Sequence, residues 1–212
     1  MNLLNEKIGT MLCLGAHSDD IEIGCGGTVL KLLAAHPAAE AHWIVFSGDG
    51  KRGGEAEASA QRFLAAAAKR SVEVHRFRDG FFPYEGAKIK NYFEEIKRRI
   101  QPDVVFTHYR HDLHQDHRLV CELTWNTFRS HLVLEYEVPK WDGDMGAPNL
   151  FVHLDEGLCR RKIEYLREGF PTQGDKHWFD EELFMGLMRL RGMESNSPSR
   201  YAEAFYARKV IW

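Results

Sequence analysis

Two spacings of apolar residues alternate along this chain. Short, nearly unbroken apolar runs read as buried strands: Met11 to Leu14, Ala41 to Phe46, and Asp103 to Thr107 around Val104-Val105-Phe106. Ser71 to Phe77 mixes Val72, Val74 and Phe77 with polar residues, the pattern of a half-exposed strand. Between these runs the spacing becomes helical. Thr28 to Ala35 follows a glycine-rich stretch, with Thr28 placed to cap it and His36-Pro37 to end it. A helix from about Glu55 to Arg70 is rich in alanine. Ala87 to Ile100 carries a stripe of Ile89, Tyr92, Phe93, Ile96 and Ile100, and Arg118 to Phe128 forms the next helix.

Strand followed by helix, repeated four times, predicts an α/β fold: one Rossmann-like domain over residues 1–212, with a mainly parallel sheet flanked by helices. Residues 1–10 read as a lead-in. Further on, strands are predicted at Leu132 to Val138, Asn149 to Leu154 and Ala204 to Ile211, with helices at 156–168 and 180–191. In such sheets ligands bind at the carboxyl ends of the strands. Polar chemistry is therefore sought directly after each apolar run.

Two clusters stand there. After the first strand come His17, Asp19 and Asp20, then Gly24, Gly26 and Gly27, which predict a tight glycine loop. Adjacent aspartates cannot easily play the same part. If one binds a metal, the other is free to face water. An N-cap with a surface charge pair explains this motif alone equally well. After the fourth strand come His108, His111, His114, Asp116 and His117. For one histidine, a solvent-facing loop is the simpler reading; several together behind an apolar strand favour a site. A catalytic zinc commonly takes three protein ligands and keeps one position open. His17, one of the two aspartates and one histidine of the second cluster complete that count.

Composition narrows the field. The chain has 212 residues, 44% of them hydrophobic, and a net charge of −3 with both signs dispersed. That pattern offers no basic footprint for nucleic acid and no polybasic membrane patch. No apolar run is long enough to span a bilayer, and the N-terminus lacks signal-peptide features, so a cytoplasmic protein is expected. Cys13, Cys25, Cys121 and Cys159 form no C-x-x-C pair and read as free thiols. Cys13 fits the core, and Cys25 is a minor alternative as a soft ligand. The glycines of Ser47 to Gly54 lack both the Walker A and the dinucleotide fingerprints. His36, His42, His75, His131 and His153 read as bystanders.

The run A-H-S-D-D-x-E-x-G-x-G-G-T, followed by H-Q-D-H-R with His117 one hundred residues after His17, resembles the LmbE-like (PIG-L) family of zinc-dependent sugar N-deacetylases. The ending R-G-M-E-S-N-S-P-S-R-Y-A-E-A-F is similar to that of bacterial members. Ser18 stands where the family usually has proline, and Asp112 where some members have tyrosine. The resemblance implies His17, Asp20 and His117 as metal ligands and Asp19 as the base that activates water. It implies His114 as the histidine that protonates the leaving amine or stabilises the oxyanion, with Asp116 orienting an imidazole. Zn²⁺ is the implied cofactor, with Fe²⁺ accepted by the same ligands. The implied substrate is a small N-acetylated amino sugar of GlcNAc type, conjugated to another group, and the implied assembly is a homo-oligomer.

Arg52 and Asp79, in loops after the second and third strands, are candidate contacts for a sugar hydroxyl or phosphate, and a solvated charge explains each equally well. Tyr136, Trp141 and Trp178 are candidate ring-flanking aromatics, although a core or interface position is the simpler reading of each. Selectivity, and a subunit contact, are expected in Glu135 to Asn149. The rival functions are another mononuclear metal amidase or esterase, a phosphoesterase, and an inactive homologue that keeps the metal or sugar site. Phosphoesterases often use two metals, and one clear triad argues against them. Asp19 and His114 argue against a pure binding site, which needs neither.

Overall fold

The computed structural model describes residues 8–210, so most of the lead-in and Ile211 of the last expected strand lie outside the described residues. The chain runs β1 (Thr10–His17), α1 (Asp20–Ala35), β2 (Glu40–Ser47), α2 (Gly50–Phe63), β3 (Lys69–Val74), α3 (Gly86–Arg99) and β4 (Val104–His108). It continues through α4 (Gln115–Thr127), β5 (Leu132–Tyr136), β6 (Leu150–Leu154), α5 (Glu156–Gly169), α6 (Glu181–Glu194) and β7 (Tyr201–Ala207). One seven-stranded sheet has the order β3-β2-β1-β4-β5-β7-β6. Strands β1 to β5 are mutually parallel, and β7 is antiparallel to both β5 and β6. This is the expected Rossmann-like α/β architecture. Among the described residues no helix is long and apolar enough to cross a membrane.

Side chains on a strand alternate between faces, and β1 shows why its apolar run is unbroken. Met11 and Cys13 enter a core with Trp43, Val45, Phe63, Phe106 and Ile163. Leu12, Leu14 and Ala16 enter a second core with Phe46, Phe82, Phe93, Val105 and Val120. The first core lies under α1, α2 and α5, the second under α3 and α4. A strand covered on both sides has no polar face to show.

The strand order reverses direction between β1 and β4: the chain steps outward from β1 to β2 and β3, then crosses back to β4 on the other side of β1. At that switch point the crossovers leave in opposite directions and a crevice opens. His17 ends β1 and His108 ends β4, so both polar clusters empty into this crevice.

The expected glycine loop is instead helix. Helix α1 begins at Asp20 and runs through Gly24, Cys25, Gly26 and Gly27. These glycines serve close packing. A Cβ on Gly24 would lie 2.1 Å from the Tyr136 ring, and one on Gly27 2.5 Å from Leu154. Two side chains also hold α1 from outside. Lys162 Nζ donates to the Ile23 carbonyl at 2.6 Å, while Glu203 accepts from the N–H groups of Gly27 (2.8 Å) and Thr28 (2.6 Å). Thr28 therefore lies inside the helix and does not cap it. Likewise α2 runs Gly50–Phe63, starting and ending earlier than the expected Glu55 to Arg70, and α4 starts at Gln115, three residues before the expected Arg118.

Candidate active site

Two helix starts build the site. Asp19 occupies the N-cap position of α1 and Asp20 its first turn; His114 occupies the N-cap of α4, with Asp116 and His117 in its first turn. Asp20 Oδ2 accepts the His17 backbone N–H at 2.6 Å, which ties the end of β1 to the helix it feeds. Asp19 makes no side-chain cap bond. It is buried, its Oδ1 receives Arg52 Nη2 at 3.2 Å, and its Oδ2 has no partner. A cap with a surface charge pair would have capped its helix and faced solvent, so that reading does not apply.

Three donor atoms converge. His17 Nδ1 lies 3.1 Å from His117 Nε2 and 3.2 Å from Asp20 Oδ2, and the last two are 3.4 Å apart. Ligands held about 2.0–2.1 Å from a tetrahedral ion stand about 3.3 Å from one another, so this triangle fits one face of such a site. The outer nitrogens agree with that geometry. His17 Nε2 faces Asp116 Oδ2 at 3.2 Å and Asp79 Oδ1 at 3.1 Å, and His117 Nδ1 faces Asp112 Oδ2 at 2.9 Å. A carboxylate holding the N–H on one side of an imidazole leaves the lone pair on the other. In neutral rings the lone pairs of both would point to the triangle. His108 is placed differently. Its Nε2 accepts the Ala16 N–H at 2.9 Å, and its ring stacks on His117 with centroids 3.9 Å apart.

Charge separates the two neighbouring aspartates. Burial pushes the Asp19 carboxyl up, and the charge of Asp20 adds to this, while Arg52 and His17 oppose it. Burial also acts on Asp20, but His117, His17 and His108 outweigh it and hold that carboxyl well below its usual value. Burial lowers His17, yet Asp20, Asp116 and Asp79 together carry it well above an ordinary histidine. Burial lowers His114, helped by the neighbouring His117 and His17. His114 Nδ1 accepts the Asp116 N–H at 3.3 Å, which leaves Nε2 to carry the proton. The His114 ring centroid lies 4.8 Å from that of His17 and 4.6 Å from that of His117.

The PIG-L family model, described as GlcNAc-PI de-N-acetylase, matches residues 12–128, more than half of the chain. This protein belongs to the PIG-L family. Several solved structures share the fold of this PIG-L protein. N,N'-diacetylchitobiose deacetylase from Pyrococcus horikoshii is 23% identical, with a TM-score of 0.72 over 93% of this chain and 83% of that one. The conserved protein TT1542 from Thermus thermophilus is 20% identical, with a TM-score of 0.74 over 95% and 96%. GalB, the 4-carboxy-2-hydroxymuconate hydratase from Pseudomonas putida KT2440, is 18% identical, with a TM-score of 0.74 over 96% and 98%. No curated protein matches this PIG-L chain in sequence.

His17, Asp19, Asp20, Arg52, Asp79, His114, Asp116 and His117 lie together in or beside the crevice of this PIG-L protein; Tyr136, Trp178 and Cys25 do not. Arg52 is engaged with Asp19. Asp79 stands at the mouth, its side chain 59% exposed and one oxygen on His17. Asp116 holds His17 and also accepts the N–H groups of Gly80 (2.7 Å) and Phe82 (3.1 Å), so it fixes the loop that carries Asp79. Tyr136 is fully buried and donates to the Leu14 carbonyl at 2.7 Å, so it cannot flank a ligand ring. Trp178 packs against the core beside Phe179. Cys25 is buried in α1, where burial and Cys13 push its thiol up, and it belongs to no candidate ligand group among the described residues.

Two contributors had no role assigned from sequence. Asp112 binds His117 and accepts the His114 N–H at 2.8 Å. Lys140 Nζ reaches Asp112 Oδ2, the oxygen that faces His117, at 2.9 Å. Asp112 was legible as a departure from the tyrosine of some members, and a carboxylate five residues before His117 was the available signal. Lys140 carried none.

Proposed function

We propose that this PIG-L protein is a metal-dependent N-deacetylase that hydrolyses the acetamide of a conjugated, GlcNAc-type amino sugar to acetate and a free amine. The observation that carries the reading is the split between adjacent carboxylates: Asp20 is held ionised in the donor triangle, while buried Asp19 keeps a raised proton affinity and an unpartnered oxygen. Environments that push two neighbouring carboxyls apart mark different acid–base roles. His17, Asp20 and His117 would hold the ion, Zn²⁺ or Fe²⁺. Such an ion polarises a carbonyl and makes water acidic near neutral pH.

The remaining steps belong to the chain. Arg52 holds Oδ1 of Asp19 and leaves Oδ2 to take a proton from the attacking water. His114 enters the reaction neutral and presents Nε2–H, so it donates to the oxyanion as the carbonyl carbon becomes tetrahedral. The proton taken by Asp19 passes to the departing nitrogen, the C–N bond breaks, and acetate and amine leave. Asp116 and Asp112 keep the two histidine rings oriented throughout.

A panel of N-acetyl sugars, free and conjugated, assayed for acetate and primary-amine release with and without a chelator, tests the reading. Chelator-sensitive release from at least one member is expected. Chelator-insensitive turnover, or phosphate release in place of acetate, would overturn it. Asp19→Asn should retain the metal and lose activity by about 10² or more; activity near wild type removes Asp19 from the mechanism.

A further inference from the structure

Outside the candidate site, one aromatic contact joins two loops, each tied by hydrogen bonds to an element that carries a residue of the crevice. The first loop follows β5. Its Lys140 binds Asp112 at 2.9 Å and Asp144 at 2.5 Å, and Asp144 in turn accepts the Leu113 N–H at 2.7 Å. Farther on, the Gly146 carbonyl accepts Arg191 Nη2 at 3.1 Å. This loop is therefore pinned on both sides of Trp141, and one pin is the carboxylate that holds His117. The second loop follows α5. Its Thr172 donates its N–H (2.9 Å) and its hydroxyl (2.5 Å) to Glu55 of α2, one turn beyond the Arg52 that binds Asp19. Trp141 and His177 meet between them, with ring centroids 4.6 Å apart and planes tilted by 45°.

Trp141 is 76% exposed, and His177 is exposed as well. The loop that carries this exposed indole is held by hydrogen bonds on either side of it, and the indole itself rests against His177. The two tilted rings form a shallow apolar surface edged by the indole N–H and the imidazole nitrogens. A pyranose has the matching character, a C–H face to lie on an aromatic ring and a rim of hydroxyls for polar edges.

We infer that Trp141 and His177 form a subsite for a second pyranose, glycosidically linked to the sugar whose acetamide is cleaved. The inference rests on the deacetylase reading and deepens it: the substrate is an oligosaccharide or glycoside, and the ring beyond the reacting one is recognised here.

The experiment is a calorimetric or NMR titration of the zinc-supplemented protein with chitobiose and, separately, with glucosamine, neither of which carries an acetamide to turn over. Wild type should bind the disaccharide more tightly than the monosaccharide. Trp141→Ala should reduce that affinity ratio by about three- to tenfold, His177→Ala should reduce it less, and Trp141→Phe should restore most of it. A global loss of fold would depress both affinities and leave no such graded ratio, and thermal melts of all three variants identify it. A ratio near one in wild type, or one unmoved by both alanine variants, overturns the subsite. Tighter binding of an aryl glucosaminide than of chitobiose overturns the pyranose assignment in favour of an aromatic aglycone. Acetate release from N-acetyl sugars is scored separately, so failure of the deacetylase reading is distinguishable from failure of the subsite.

Discussion

Asp19 and Asp20 differ by one position and face opposite electrostatic problems. Asp20 sits among three imidazoles, Asp19 beside one guanidinium and another carboxylate. Asp112 works at one remove: replacing it with Asn should weaken zinc affinity by about 10–100-fold, the usual cost of losing a carboxylate behind a ligating histidine. Competition with a chromophoric chelator measures this, and unchanged affinity would separate Asp112 from the metal. Glu22 makes a pH prediction. It is fully buried, Ser59 donates to one oxygen at 2.7 Å, the other oxygen has no partner, and burial pushes its carboxyl well up. A carboxyl raised in the folded state keeps its full contribution to stability below the unfolded value of about 4.3 and loses it as pH rises toward the folded value. Glu22→Gln should therefore raise the melting temperature at pH 7–8 and change it little at pH 4. A shift of equal size at both pH values would refute the linkage.

At the scale of elements, α1 shows what positions the site. Its first turn carries Asp20, and its glycine face lets Tyr136 approach closely enough to bind the Leu14 carbonyl and reach His108 Nε2 at 3.2 Å. Gly24→Ala would place a methyl group inside that ring. Such overpacking costs about 1–3 kcal/mol, and it would be read as a lower denaturation midpoint. The same displacement should weaken metal binding, because Tyr136 and His108 lie behind the triangle. A neutral Gly24→Ala would mean that α1 shifts freely, contrary to the clamp that Lys162 and Glu203 place on it. The aspartate motif read as a loop because Gly24, Gly26 and Gly27 are poor helix formers. Close approach of Tyr136, Phe63 and Leu154 overrides that propensity.

For the whole molecule, the sheet order decides that two clusters one hundred residues apart share a crevice. Donors drawn from two separate strand–helix units are assembled only in the folded state, so metal should bind the native chain and stabilise it. At free metal one hundred times the dissociation constant the gain is about 2.7 kcal/mol, or about 5–10 °C in melting temperature for a domain of this size. Calorimetry with and without a chelator checks this, and identical melting curves would count against a tight native-state site. The similarity of the fold to both a deacetylase and a hydratase makes the same point from outside: function is argued from the residues in the crevice, not from the sheet.

Periodicity was enough to read the parallel α/β architecture, and the two polar clusters were enough to pair His17 and one of two aspartates with one histidine behind the fourth strand; the family resemblance is what singled out Asp19, Asp20, His114, Asp116 and His117 by role. These features are local: an apolar run is buried whatever lies beside it, and a residue after a strand sits at that strand's end. Pairings between distant segments were left to the tertiary structure. Arg52 turns toward Asp19, and Lys140 reaches Asp112, because α2 and the loop after β5 come to border the same crevice. Sequence left Tyr136 open between a ligand-flanking ring and a core position, and it is a buried strut because the glycine face of α1 covers it. Trp141 and Trp178 were alike in sequence, yet one is pinned in solvent and the other packs on the core. Each outcome depends on which surface arrives opposite a side chain, and that is set by the packing of the whole chain.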